Sequence, residues 1–251
     1  MGQAPLLPHG EPPTYFTFPS FEALGLPHAT TTRHFPGVTT PSAPTAPFGS
    51  DAAAALAAAG LDPARVAYGR QVHGADVARV PVNGGFSGAV DVLVTTERGV
   101  PLAIFTADCL AVTVYEPDAR ALSVAHVGWR GTVRGAAQAA VAALRDLGSR
   151  PARMAAAIAP SIGPCCYEVD DPVLEAFASA YPVLWEAWFT AVGPSRWMLD
   201  LWRANEDLLA EAGVPHDRIE NPRLCTSCHR DLLYSYRQGH RGRLVTVAAL
   251  P

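Results

Sequence analysis

The stretch that decides the fold runs from Pro101 to Gly135 and reads PLAIFTADCLAVTVYEPDARALSVAHVGWRGTVRG. Apolar runs at 101–106, 110–115 and 122–126 predict three strands, and the Ala-rich pattern over 132–147 predicts a helix. Cys109 stands between the first two runs, and His126 ends the third. Open α/β proteins place their chemistry where strands end and a helix begins. The stretch therefore predicts an α/β protein with reactive groups at Cys109 and His126.

The remaining segments predict one domain of class α/β, layered as α+β, with mixed β-sheets flanked by helices. Residues 1–14 are rich in proline and predict a loose N-terminal arm, and residues 15–251 form the single domain. Turn residues over 36–50 predict a loop. Further strands are expected at 15–18, 29–33, 66–71, 76–82, 89–95, 153–159 and 243–250. Further helices are expected at 51–60, 171–181 and 200–212.

The composition excludes several classes of mechanism. Hydrophobic residues make up 49% of the chain and charged residues 17%, which favours a sizeable core over disorder. The net charge of -4 argues against a nucleic-acid partner. All 19 basic residues are arginine, so mechanisms that need a lysine are excluded. Any bound anion must be held by arginine, histidine or backbone N–H groups.

The sequence predicts a soluble cytoplasmic protein, a monomer or small homo-oligomer that does not bind a membrane. No apolar run approaches the roughly 20 residues of a membrane span, and the N-terminus lacks the basic and apolar regions of a secretory signal. In such a compartment the five cysteines are expected to be thiols or metal ligands rather than disulfides.

Three residues are candidates for the reacting centre: His73, Cys109 and His126. Each alone is compatible with simple packing, but each follows a strand-like run and precedes a glycine or a polar break. Two histidines and one cysteine can bind zinc and leave a fourth position open, which is typical of a catalytic site. The same groups could instead form a nucleophilic thiolate with a histidine base. The spacing in the sequence leaves both interpretations open.

Arg130 and Gly131 form a candidate anion site, because they precede the predicted helix at Thr132. The N-terminus of a helix attracts anions, and a guanidinium can bind phosphate or carboxylate with two hydrogen bonds. A surface arginine in a tight turn is the alternative. Asp108 is a candidate for orienting a neighbouring ligand.

Four cysteines lie outside this stretch. Cys165 and Cys166 are adjacent, and we interpret them as loop packing because adjacent cysteines rarely share a tetrahedral metal. Cys225 and Cys228 have the C-x-x-C spacing of zinc knuckles and are followed by His229. Without a second C-x-x-C pair, the spacing does not predict a structural zinc site, and the role of these residues stays open.

The motifs together resemble a known family, the multicopper polyphenol oxidase or laccase-domain proteins, also described as peptidoglycan editing factors. The matching stretches occur in the family's order from about residue 66 onward: 71–74 (QVHG), 106–109 (TADC), 125–131 (AHVGWRG), 162–169 (IGPCCYEV), 225–226 (CT) and 234–237 (YSYR). Each is weak alone, and the set is specific. One departure lies at 47–52 (PFGSDA), where the family's usual loop is replaced, which bears on substrate choice.

The resemblance implies a single domain with a fold similar to that of a toxin deamidase, a cysteine hydrolase. It implies that His73, Cys109 and His126 converge as metal ligands or catalytic groups, with zinc as cofactor and copper as the less favoured metal. It implies phosphorolysis of adenosine, inosine, guanosine and methylthioadenosine, together with adenosine deamination. The partners would be a purine nucleoside and phosphate, with Arg130, Gly131, Asp108 and Arg237 contacting substrate or phosphate.

Two other functions remain open. In the first, the protein is a cysteine hydrolase or amidase that edits a cell-wall precursor, with Cys109 as nucleophile and His126 as base. In the second, it binds nucleosides without turning them over, since a fold alone does not fix a function.

Overall fold

The computed structural model describes residues 5–38 and 47–251. In chain order the strands are β1 (Leu7–His9), β2 (Tyr15–Thr17), β3 (His28–Thr31), β4 (Ala67–Tyr68), β5 (Val77–Arg79), β6 (Gly85–Phe86), β7 (Val92–Thr95), β8 (Leu102–Thr106), β9 (Leu110–Glu116), β10 (Ala121–Val127), β11 (Ala155–Ile158), β12 (Glu168–Asp170), β13 (Phe189–Gly193), β14 (Arg196–Leu199), β15 (Ile219–Glu220) and β16 (Leu244–Ala248).

Six α-helices accompany these strands in the described part of the chain. They are α1 (Pro19–Ala23), α2 (Ser50–Ala58), α3 (Trp129–Val133), α4 (Ala136–Asp146), α5 (Asp171–Ala180) and α6 (Leu201–Glu211). The single helix predicted over 132–147 is therefore two helices. Gly135 separates them with a φ of 78°, a left-handed conformation that favours glycine and ends the first helix.

Two mixed sheets form the body of the domain. A seven-stranded sheet has the order β1-β2-β3-β16-β8-β4-β6, and a six-stranded sheet has the order β15-β11-β9-β10-β7-β5. Both contain antiparallel and parallel neighbours. The predicted class, mixed sheets flanked by helices in one domain, is confirmed.

The apolar strands are buried on both faces, which explains why they read as continuous apolar runs rather than as alternating ones. In β8, Leu102 and Ile104 point into the core between the two sheets. The alternate residues Ala103 and Phe105 pack on the other side with Leu56 of α2. On the far side of the six-stranded sheet, the core includes residues of α4 and α6. The order of layers is therefore helix, sheet, sheet, helix.

Some of the sequence predictions need correction. Residues 7–9, inside the predicted loose arm, form strand β1 and pair antiparallel with β2. The sequence also missed a small third sheet of order β12-β14-β13. Of the loop predicted over 36–50, residues 39–46 lie outside the described residues, as do residues 1–4 of the arm. Among the described residues, every helix is too short or too polar to span a lipid bilayer.

Candidate active site

The pairing of β9 with β10 brings Cys109 and His126 to the same end of the six-stranded sheet. The two strands are antiparallel, with Leu110 opposite Val127 and Ala111 opposite His126. Cys109 immediately precedes β9, so it lies beside the end of β10. Because β8 belongs to the seven-stranded sheet and β9 to the six-stranded one, residues 107–109 cross from one sheet to the other. The cysteine therefore sits at the junction of the two sheets.

His73 enters the same site from the loop that follows β4. Its φ is 59°, and Asp108 has a φ of 85°. Both are in the left-handed region that residues other than glycine adopt rarely, and such backbone strain is concentrated at functional sites. The backbone of His73 and Asp108 is therefore strained, and the surrounding structure holds both residues in this conformation.

The three predicted residues meet in the structure. The possible ligand atoms of His73, Cys109 and His126 all lie within 4.8 Å of one another. The two imidazole rings are in edge contact, with centroids 4.7 Å apart and an interplanar angle of 77°. His126 is buried and Cys109 is half-buried. Residues from three separate parts of the sequence therefore form one compact donor set.

Asp91 organises this set, and the sequence analysis missed it. Its side chain is fully buried, and His126 Nδ1 lies 2.7 Å from its Oδ1. The same carboxylate accepts backbone N–H groups of Val72 at 3.0 Å, His73 at 3.0 Å and Gly74 at 2.7 Å. One carboxylate thus fixes both the ring of His126 and the loop that carries His73. A charged residue inside the apolar strand run 89–95 was the signal available in the sequence, because a buried charge requires partners.

The contacts within the site shift its titrations. Burial by itself raises the pKa of the Cys109 thiol, but hydrogen bonds with His126 and His73 outweigh burial and lower this pKa to about 6. Burial lowers the pKa of His126, but hydrogen bonds with Asp91 and Cys109 outweigh it and raise this pKa to about 9. In the metal-free protein at neutral pH, the pair is therefore a thiolate beside an imidazolium.

Gly128 leaves the space that the cysteine sulfur occupies. A Cβ at this position would lie 2.8 Å from Cys109 Sγ and 3.3 Å from His73 Cδ2. Any other residue would displace one or both groups, so the glycine after β10 is a steric requirement of the site.

Two cavities meet at Cys109. The larger, of about 480 Å³, is lined by His73, Cys109 and His126 and also by Gly69, Arg70, Gln71, Phe105, Thr106, Ala107, Tyr236 and Arg243. The smaller, of about 260 Å³, is lined by Cys109 together with Ala107, Asp108, Gly128, Trp129, Ile162, Tyr167, Leu201, Tyr236 and Arg237. The sequence analysis did not select Arg70 or Arg243. The larger cavity is of the size that small-molecule sites usually have.

Asp108 and Arg237 hold the wall of the smaller cavity. Asp108 Oδ1 accepts the Thr226 hydroxyl at 2.6 Å, and Oδ2 accepts the Arg237 N–H at 2.7 Å. The Arg237 guanidinium donates to the carbonyl of Cys166 at 3.3 Å and to that of Glu168 at 3.0 Å. Both residues therefore position the loops beside Cys109 while lining a cavity.

Arg130 and Gly131 lie inside a short helix rather than before a helix that begins at Thr132. Helix α3 already begins at Trp129 and has only five residues. The Arg130 side chain is exposed, and its guanidinium carbon lies 4.2 Å from the centre of the Trp129 ring. Gly131 is buried and packs behind the site, where a Cβ would be 3.4 Å from the carbonyl oxygen of His126 and 3.5 Å from that of Gly74. The structure thus shows Gly131 in a packing role and Arg130 at the surface.

The donor set fits a divalent metal ion of the zinc class. Two imidazoles and one thiolate are typical ligands for zinc, and three protein ligands leave one position open. The contact of His126 Nδ1 with Asp91 leaves Nε2 for a metal, and such a carboxylate partner is usual for a histidine ligand.

Together, the two packed sheets and the cavity-lined His–Cys–His centre define a mixed α/β domain with a thiolate–imidazole site suited to one metal ion. The chain belongs to the multi-copper polyphenol oxidoreductase laccase family, whose model matches residues 50–251. The family expected from the sequence motifs is confirmed.

The relatives of the chain carry names of purine nucleoside enzymes. The purine nucleoside phosphorylase YlmD of Geobacillus stearothermophilus is 37% identical over 187 residues, which cover 70% of this chain and 68% of that protein. The adenosine deaminase RL5, from an unknown prokaryotic organism, is 36% identical over 149 residues, covering 59% of this chain and 57% of that protein. These names support a function of the purine nucleoside phosphorylase kind at the level of the family.

A solved structure agrees with the fold. The crystal structure of YlmD from Geobacillus stearothermophilus superimposes with a TM-score of 0.85 at 29% identity, covering 98% of this chain and 99% of that one. The similarity therefore extends over the N-terminal strands as well as over the region that the family model matches.

Proposed function

We propose that the protein is a purine nucleoside phosphorylase that also deaminates adenosine, with adenosine, inosine, guanosine and methylthioadenosine as substrates. The observation that carries the proposal is the convergence of His73, Cys109 and His126 on one cavity, with Asp91 fixing His126. The names of the relatives supply the class of substrate.

The two cavities suggest how the two substrates are arranged. The larger one has room for a nucleoside and has the ring of Phe105 in its wall. The smaller one is lined by Arg237, and both Arg237 and Arg130 act electrostatically on its Tyr167. Phosphate is proposed to bind on this side, where positive charge is available. Arg70 and Arg243 in the larger cavity are the competing positions for the anion.

Phosphorolysis needs little covalent chemistry from the protein. A phosphate oxygen forms a bond to the ribose C1′ while the bond from C1′ to the purine nitrogen breaks, giving ribose 1-phosphate and the free base. Positive charge develops on the ribose and negative charge on the base, and placed charges stabilise such a transition state. Arg130 and Arg237 would hold the phosphate, and His126 would be oriented by Asp91.

Deamination replaces the purine C6 amino group with oxygen from water and releases ammonia. A zinc ion held by His73, Cys109 and His126 would supply Lewis-acid chemistry that makes water a better nucleophile near neutral pH. The protein itself would hold the purine in the larger cavity and keep the His126 ring in one orientation through Asp91.

The proposal is tested by a screen of nucleosides with and without phosphate, beside metal analysis. We expect base release to depend on phosphate, and Cys109→Ala and His73→Ala to lose at least about 100-fold in kcat/KM, as removal of a catalytic group typically does. His34→Ala is a matched control, because His34 is exposed and lies outside both cavities. Undiminished inosine phosphorolysis by Cys109→Ala would refute the proposal.

A phosphate titration separates the candidate anion positions. If phosphate binds in the smaller cavity, Arg237→Gln raises the KM for phosphate more than the KM for inosine, because Arg237 lines that cavity. If Arg70→Gln instead raises the phosphate KM and Arg237→Gln does not, the anion binds in the larger cavity.

A second candidate is a cysteine hydrolase that acts on an amide, for example in a cell-wall precursor, with Cys109 as nucleophile and His126 as base. The specific observation in its favour is the low pKa of Cys109 beside His126 and Asp91, the arrangement of an activated thiol nucleophile. Bound metal discriminates between the two. A dialysis-resistant zinc ion that the wild type holds and Cys109→Ala loses supports the metal site at His73, Cys109 and His126. Activity that persists without this ion and is abolished by alkylation of Cys109 supports the hydrolase.

A further inference from the structure

We propose that the protein has a second metal site, made of the four thiolates of Cys165, Cys166, Cys225 and Cys228, which binds a divalent ion of the zinc class. This site is separate from the His–Cys–His centre, and the proposal does not depend on the proposed function. From the sequence, Cys165 and Cys166 were interpreted as loop packing because adjacent cysteines rarely share a tetrahedral metal. The proposal replaces that interpretation, since both sulfurs lie beside that of Cys228.

The sulfur positions match those around one tetrahedral ion. All four lie within 4.8 Å of one another. Cys228 Sγ lies 3.5 Å from Cys165 Sγ and 3.5 Å from Cys166 Sγ. A tetrahedral zinc with bonds to sulfur of about 2.3 Å places its sulfurs about 3.8 Å apart. The four thiols are free, since a disulfide would require a separation of about 2.05 Å.

The backbone holds the two cysteine segments together without any help from the sulfurs. Ser161 and Cys225 form a parallel β-bridge. Its hydrogen bonds run from Ser161 N–H to the Leu224 carbonyl at 3.3 Å and from Thr226 N–H to the Ser161 carbonyl at 3.1 Å. The site is therefore preformed, so binding an ion costs little ordering of the chain.

Cys225, one of the four proposed ligands, already accepts the kind of hydrogen bond that a metal-bound thiolate usually accepts. Gly163 N–H donates to Cys225 Sγ at 3.3 Å, and such contacts orient a thiolate and stabilise its charge. Gly163 lies against Trp202, where a Cβ would be 2.5 Å from a ring carbon, so only glycine brings the N–H this close.

The exposure of the four residues suits a closed structural site at the surface. Cys225 is buried, Cys166 is half-buried, and Cys165 and Cys228 are exposed. An ion can therefore enter from solvent on the side of Cys165 and Cys228, while the side of Cys225 is shielded from water. Four sulfurs select zinc or a similar soft ion over calcium and magnesium, which prefer oxygen, and four protein ligands leave no open position for chemistry.

An ion bound at the four cysteines would also stabilise the loops beside Cys109. Thr226, next to Cys225, donates its hydroxyl to Asp108 Oδ1, and Ile162 N–H donates to the Asp108 carbonyl at 2.9 Å. Asp108 directly precedes Cys109. An ion bound by the four thiolates would therefore fix both loops that hold Asp108 in its left-handed conformation.

The test uses the full chain, with Cys109→Ala as background so that the first site lacks a ligand. After zinc loading and dialysis, we expect about one zinc per chain in Cys109→Ala and none in Cys109→Ala/Cys228→Ser. His34→Ala in the same background, which removes an exposed side chain outside the cluster, is the control and should keep its zinc. Cobalt loading of Cys109→Ala should give the charge-transfer bands of thiolate-bound cobalt, and Cys228→Ser should remove them.

Thiol reactivity and thermal unfolding complete the test. In zinc-loaded Cys109→Ala the four thiols should resist alkylation until a chelator is added, and zinc should raise the Tm. If Cys228→Ser does not fold, Cys165→Ser, at the exposed side of the cluster, replaces it. The proposal is overturned if folded Cys109→Ala binds no zinc and all four thiols alkylate freely. It is equally overturned if the mass of Cys109→Ala is lower by two hydrogens, which would show that two of the four thiols form a disulfide.

Discussion

The candidate active site depends on the positions of a few groups. The carboxylate of Asp91 contacts the ring of His126. It also accepts hydrogen bonds from three successive backbone N–H groups of the loop that carries His73. Gly128 leaves room for the sulfur of Cys109. Both residues act by fixing the positions of other groups, so their replacement should affect the site more than the fold.

Gly128→Ala should lower kcat/KM for the proposed phosphorolysis of inosine by about 100-fold. The added methyl group would lie 2.8 Å from Cys109 Sγ and displace it. A displacement of about 1 Å is enough for a loss of this size. Gly193→Ala is the matched control, since a Cβ there meets its nearest described neighbour at 3.9 Å. Steady-state kinetics check the prediction, and circular dichroism should show both variants folded. Equal activity of the two variants would contradict it.

Asp91→Asn should weaken zinc binding at the first site by roughly 10–100-fold, the usual cost of removing a carboxylate partner from a histidine ligand. Asparagine also has an N–H₂ group that faces the N–H donors of residues 72–74, so the Tm should fall. Asp76→Asn in the same loop, with an exposed side chain, is the control. Competition with a zinc chelator, in a Cys228→Ser background that lacks a ligand of the second proposed site, measures the affinity. Unchanged affinity in Asp91→Asn would show that Asp91 does not support zinc binding.

At the scale of elements, the short strand β3 contains a buried histidine, His28, whose hydrogen bonds depend on its charge state. His28 Nε2 accepts the Phe18 N–H at 2.6 Å, and its Nδ1 lies 2.8 Å from the Leu26 carbonyl. Nε2 can accept the Phe18 N–H only when the ring is neutral with its proton on Nδ1, which then donates to the Leu26 carbonyl. Burial lowers the pKa of His28 below the ordinary histidine value of 6.5, although the hydrogen bond with Leu26 acts in the opposite direction.

The free energy of unfolding should therefore fall as the pH drops below about 6.5. A histidine with a lowered pKa in the folded state binds fewer protons there than in the unfolded chain, so its stabilising contribution is present above the unfolded pKa and is lost below it. Urea unfolding at about pH 7.5 and about pH 5 checks this. His28→Gln, which can still accept the Phe18 N–H, should show a smaller loss, and His34→Gln should behave as wild type.

The elements also show what can be predicted from sequence. The strands around Cys109 and His126 were predictable because buried strands give continuous apolar runs, and the ends of adjacent strands lie together. Three features were not. The break at Gly135 is a single left-handed residue inside a helical pattern. The small sheet of β12, β13 and β14 has short strands, several of them exposed. The cysteine cluster depends on a bridge between Ser161 and Cys225, which local patterns do not encode.

At the scale of the whole molecule, the two sheets make the site possible because the chain crosses between them at residues 107–109. The sequence predicted that His73, Cys109 and His126 would meet, since each ends a strand-like run. It could not predict Asp91 as their common partner, or that Gly131 packs behind the site, because both depend on how the layers are stacked. The segment 47–52, where the family's usual loop is replaced, lies next to the larger cavity. Its residue Phe48 packs against Phe105, which lines that cavity.

The position of Cys109 between two cavities has a kinetic consequence. The two cavities share Ala107, Cys109 and Tyr236 and otherwise have different lining residues. If the protein is a phosphorylase as proposed, a nucleoside and a phosphate could therefore occupy them at the same time. Phosphorolysis should then proceed through a ternary complex, and double-reciprocal plots of rate against inosine at several phosphate concentrations should intersect. Parallel lines, the mark of a covalent intermediate formed before the second substrate binds, would instead show that the sulfur attacks the substrate itself.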